Sequence, residues 1–179
     1  MRVPHITISI ALLLFASPVF AQERFSPPDG RFSVETPFGK ISLTKEVQDA
    51  SYPESTLRTY GNTGNGNRAI IVFVWVVANK ERNKPIKEKV GGMEFLIGGD
   101  DDHDIVKTFR TVAGLPAKEV VYKNINARGL FIDDGDRVYI LAFAGKKRND
   151  LTSKTAEDFF SSFKLVSKPD LKRENSTKH

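Results

Sequence analysis

The residues best suited to chemistry stand together in GGDDDHD, which runs from Gly98 to Asp104. Asp100, Asp101, Asp102 and Asp104 offer hard carboxylate oxygens, and His103 adds an imidazole among them. Such a donor set suits a divalent ion, calcium first. The spacing departs from a calcium-binding loop, because the expected glycine does not follow the acidic residues and no glutamate stands at the twelfth position. Adjacent acidic residues in a loop are otherwise a solvated turn. The expectation is no cofactor. Asp100, Asp102, His103 and Asp104 are the metal candidates should the loop hold Ca²⁺.

Covalent or acid–base catalysis needs more than this stretch supplies. The chain has no cysteine and no G-x-S-x-G elbow, so His103 has no activated nucleophile to serve. Asp133, Asp134 and Asp136 could pair as carboxylates, but their place around Gly135 is that of a tight turn. GNTGNGN, beginning at Gly61, has the glycines of a phosphate loop without the lysine and the serine or threonine that follow them. It reads as a hairpin connection. Trp75 lies inside an apolar run and is expected in the core. Asn175, Ser176 and Thr177 form a glycosylation acceptor on a polar tail.

Charge narrows the partners. Lys and Arg number 27 against 22 Asp and Glu, a net +5, and the two signs are mixed along the chain. A nucleic-acid binder carries a basic stripe with interleaved aromatics, whereas here Lys146, Lys147 and Arg148 are a short basic loop after a strand. The expected partner is an envelope protein or an anionic surface such as lipid headgroups or wall polymers, and not nucleic acid. The N-terminus supports that location. MRVPH is followed by the uncharged run ITISIALLLFASPVFA, with Val19 and Ala21 at the −3 and −1 positions of a cleavage site before Gln22. This is the pattern of a secretory signal peptide, and the run falls short of the ~20 residues of a spanning helix. Residues 1–21 are expected to be removed, which leaves no integral membrane segment and a periplasmic or secreted protein.

Between the signal and the tail at 167–179, residues 22–166 read as a single domain. Alternation marks a strand at Phe32 and Val34 and another at Ile41, Leu43 and Val47. The eight apolar residues from Ile70 to Val77 predict a central strand buried on both faces. Pro85 opens a segment in which Ile86, Val90, Met93 and Ile97 fall at helical spacing, although Gly91 and Gly92 weaken it. Four strand-like runs follow: DIVKTFRTV, AKEVVYK, ARGLFI and RVYILAFA. Asp133-Asp134-Gly135-Asp136 joins the last two as a hairpin. Finally Ala156, Phe159, Phe160 and Phe163 share one helical face, with Asp150 or Thr152 as its cap. Leu165 and Val166 then form a short strand.

The stretches FSPPDGRFSVETP, AGLPAKEVVY, GLFIDDGDRVYIL and AEDFFSSFKLV together resemble the PsbP-like superfamily, which includes the photosystem protein PsbP and the bacterial envelope protein DcrB. The resemblance implies an α+β fold, an antiparallel β-sheet with helices packed on its two faces as an α/β/α sandwich. No ion-binding or docking residue of that group matches a position here. The functional expectation is an exported, non-catalytic binding or accessory domain at the cell envelope. The alternative is a calcium-dependent binder or enzyme built on residues 100–104. A membrane-tethered subunit that keeps its N-terminal segment ranks third.

Overall fold

Eight consecutive apolar residues cannot leave either face of a strand in water, and Ile70 to Val77 accordingly set the architecture. In the computed structural model, which describes residues 23–63, 68–91, 93–98 and 105–166, they fall in and just after β5 (Ala69–Val76). This strand is third in a seven-stranded antiparallel sheet. Its companions are β3 (Ser42–Gln48), β4 (Thr56–Thr63), β6 (Ile105–Val112), β7 (Leu115–Tyr122), β8 (Ala127–Asp133) and β9 (Arg137–Ala144). The order across the sheet is β3-β4-β5-β9-β8-β7-β6. A second sheet of three strands places β2 (Phe32–Thr36) between β1 (Glu23–Phe25) and β10 (Lys164–Leu165).

Two apolar layers result, one on each face of the large sheet. On the first face Phe32 and Val34 of the small sheet meet Tyr60, Val72, Leu130, Tyr139 and Phe143. The helix α3 (Lys154–Ser161) completes this layer with Ala156, Phe159 and Phe160. Ser153 caps it, its hydroxyl accepting from the Ala156 N–H at 3.3 Å. The cap is thus neither Asp150 nor Thr152, which lie in the 3₁₀ turn Arg148–Thr152 just before. Phe163 falls beyond the helix, yet it is buried and stacks on Phe32 at 5.6 Å. Each such buried ring contributes roughly 1.5–3 kcal/mol of transfer free energy. On the second face the single-turn helices α1 (Ile86–Lys89) and α2 (Phe95–Gly98) cover Val120, Tyr122, Phe131 and Ile140.

The expected α+β fold, an α/β/α sandwich, is not what forms. The protein is mostly β, with ten strands in two antiparallel sheets and three short α-helices among the described residues. Two physical reasons are visible. The segment after Pro85 makes two separate turns rather than one helix, with Gly91 falling between them, where glycine adds its backbone entropy cost. The second turn also packs too closely for ordinary side chains: a Cβ on Gly98 would lie 2.1 Å from the Tyr122 ring, and one on Gly129 2.2 Å from Ile97 Cδ1. On the opposite face, the space a helical layer would need is shared between the three-stranded sheet and α3.

The Asp133–Asp136 hairpin forms with Gly135 at φ +76°, and Asp133 accepts the Gly135 N–H at 2.9 Å. The connection from β6 to β7 is a two-residue turn in which Ala113 and Gly114 both have positive φ, the conformation a type I′ hairpin requires. The strand read from Ile41, Leu43 and Val47 is not half-buried. Ile41 is buried just ahead of it, but β3 itself is exposed along its whole length, with Leu43 at 51% and Val47 at 43%. No helix among the described residues is long and apolar enough to cross a membrane.

Candidate functional site

The edge strand β6 and the last helix enclose a groove of about 600 Å³. Arg110, Thr111, Val112 and the turn residue Ala113 form one wall, and Glu157, Phe160 and Ser161 of α3 form the other. Phe163, Lys164 and Leu165 close its end. Strand alternation explains the convergence. Arg110 lies opposite Ala117, and Val121 lies opposite Arg128, so Arg110, Glu119 and Arg128 share the face that α3 covers.

A chain of charges runs under this groove from the sheet edge to the helix. Arg110 Nε lies 3.1 Å from Glu119 Oε2, and Arg128 Nε donates to Glu119 Oε1 at 2.6 Å. The Arg128 Nη1 donates to Glu157 Oε1 at 2.5 Å and to the Leu151 carbonyl at 2.9 Å. Its guanidinium also lies 4.6 Å from the Phe160 ring centroid, a favourable cation–π placement. Arg128 is only 6% exposed. Burial works against its charge, but the bond to Glu157 and the nearby Glu119 outweigh that effect and raise its pKa above the usual arginine value. The Glu157 carboxylate remains 52% exposed at the rim.

A second ionic cluster ties the edge strand down on the opposite face. Glu94, just before α2, holds Lys107 of β6 at 2.7 Å and also Lys118 of β7. Burial pushes the Glu94 carboxyl up, and the hydrogen bonds from Lys107 and Lys118 more than reverse this, so it lies below the ordinary carboxylate range.

Few of the residues singled out from sequence enter this groove. Asp100, Asp101, Asp102, His103 and Asp104 lie outside the described residues, as do Asn175 to Thr177 and most of the GNTGNGN stretch. Asp133, Asp134 and Asp136 are committed to structure. Asp133 binds the buried Lys89 Nζ at 2.8 and 2.9 Å, Asp134 accepts from the Tyr139 hydroxyl at 3.3 Å, and Asp136 accepts from Arg31 at 3.0 Å. Trp75 is half-buried, its indole N–H donating to Ser55 Oγ at 3.0 Å. Lys146, Lys147 and Arg148 are exposed after β9. Phe160 and Phe163, expected as core, also line the groove. Arg110, Glu119, Arg128 and Glu157 were not anticipated. One signal was available: an arginine inside the apolar run ARGLFI must find buried carboxylates or be expelled. Compared with known proteins, the chain matches no family model and no curated protein.

Proposed function

We propose that the folded chain is an exported, non-catalytic binding or accessory domain that works at the cell envelope through surface contact. The observation that carries this reading is the groove beside β6. It combines apolar walls from Val112, Phe160, Phe163 and Leu165 with a charged rim, the composition of a recess that holds a ligand by shape and a few placed polar groups. Glu157 at its rim accepts from Arg128, and Glu119 beneath it pairs with Arg110, so both carboxylates are engaged in holding the walls together. Export rests on the apolar run ending at Val19 and Ala21, and the accessory role draws on the motifs that resemble the PsbP-like superfamily. The modest basic excess suits an envelope protein or an anionic surface as partner.

Photo-crosslinking in the native host tests this directly. A crosslinking residue at Thr111 or Ser161 should give an adduct with an envelope component, and one at Lys45 should not. Intact mass should place the N-terminus at Gln22. A protein that retains residues 1–21 in the cytoplasm and forms no adduct from either groove position would overturn the reading.

A further inference from the structure

We infer that β6 accepts an extended, acidic peptide segment of a partner as an additional strand, with acidic side chains of that segment seated at Arg110 and Lys164. This rests on the groove being a binding surface and names what fills it. Among the described residues β6 pairs with β7 alone, so the outer side of its groove-side half, Thr108 to Val112, presents backbone donors and acceptors to an incoming strand. The β6–β7 register is continuous from Ile105 opposite Tyr122 to Val112 opposite Leu115. The strand therefore carries no bulge over its eight residues, and it leads into the groove wall at Arg110 to Ala113.

Side chains of β6 fit the same occupant. Val106 is 45% exposed and Phe109 54%, and three-residue spacing puts them on opposite faces of the sheet. An added strand would cover both with its own alternating side chains. The strand carries Lys107 and Arg110 and no acidic residue, and Lys164 stands at the end of the groove. Arg110 holds the Glu119 carboxylate yet stays partly exposed. Pairing of β6 with a second copy of itself would bring these cations together, which disfavours a homodimer. The run Asp100 to Asp104 precedes β6 in the sequence, so the acidic side chains of the occupant belong at the far end, by Arg110. Main-chain pairing then supplies affinity and the cations supply choice.

Two blocked ten-residue peptides of alternating threonine and valine, one ending in two glutamates and the other in two lysines, serve as probes. Fluorescence polarisation should show the glutamate peptide binding at least about tenfold more tightly, with the preference fading in high salt. Hydrogen exchange should slow along residues 105–112 and not along 42–48. The double variant Arg110→Glu, Lys164→Glu should invert the preference. The milder pair Arg110→Gln, Lys164→Gln should bring the two peptides level, with its melting temperature checked against the parent. Equal binding of both peptides by the parent protein, no binding of either, or protection along β3 would each overturn the inference. Crosslinks from Thr111 and Ser161 to an envelope component, obtained alongside such a failure, would leave the binding domain standing and remove only the added strand.

Discussion

The two edges of the large sheet solve the same problem differently. Both β3 and β6 end a row of hydrogen-bonded strands, and both expose apolar side chains to water. At β3 the pairing with β4 shifts register between Leu43 and Lys45, and such a bulge bends the strand and spoils its outer ladder. Its central charges are balanced, Lys45 beside Glu46, with Glu46 bonded to Arg58 at 3.2 Å. At β6 the register is unbroken, the charges on the strand are of one sign, and carboxylates on both faces fix them from below. One edge is blunted in its backbone. The other keeps a regular backbone, and it is anchored by buried ions and flanked by a groove.

The largest loss of stability is expected at the groove wall. Phe160 is nearly fully buried, so Phe160→Ala should lower stability by roughly 3–5 kcal/mol in chemical denaturation. A loss under about 1 kcal/mol would mean that α3 does not hold the β6 side of the sheet. Next comes the carboxylate shared by two arginines. Glu119→Gln weakens the links of both Arg110 and Arg128 and should cost about 1.5–3 kcal/mol. The matching change at the other edge, Glu46→Gln, breaks only the exposed pair with Arg58 and should cost about 0–1 kcal/mol.

Acid should act on the two edges unequally as well. The Glu94 carboxyl is held below its ordinary value of 4.5, so the folded state binds that proton less readily than the unfolded chain does. The stabilisation is complete above about 4.5 and is lost as the pH falls through the lower folded value. Because Lys107 is one of its partners, amide exchange along β6 should quicken in that window before exchange along β3, and Glu94→Gln should abolish the difference. The smallest effect is expected at β3 itself. Val47→Thr should change stability by no more than about 0.5 kcal/mol, since Val47 is an exposed residue and threonine keeps its β-branched shape.

Legibility in the sequence followed the range of the interactions. The central strand, the Asp133–Asp136 hairpin and the burial of Phe159, Phe160 and Phe163 depend on periodicity within a few residues, and each could be read directly. β3 has the same alternation as a half-buried strand, but burial depends on what covers it, and no layer covers this edge. The segment after Pro85 carried a helical period whose interruption at Gly91 was visible, while the tight contacts of Gly98 and Gly129 were not. The groove was the least legible part. Arg128 lies 9 residues from Glu119 and 29 from Glu157, and only strand pairing and the docking of α3 bring them together.

The small sheet has a mechanical consequence. β1 and β10 both run antiparallel to β2, so they run parallel to each other on its two sides. Tension drawing Glu23 and Leu165 apart along the strand axis must slide β1 and β10 past β2 in opposite directions. Such sliding loads all the pairs of a ladder at once, three for β1 and two for β10, rather than opening them one by one. Behind these ladders Phe32 is wedged between Phe25 at 6.1 Å and Phe163 at 5.6 Å, so the same displacement must also part the aromatic rings. Load applied through the two ends of the described chain is therefore met first by a short shear clasp, and the seven-stranded sheet behind it feels the force only after that clasp has given way.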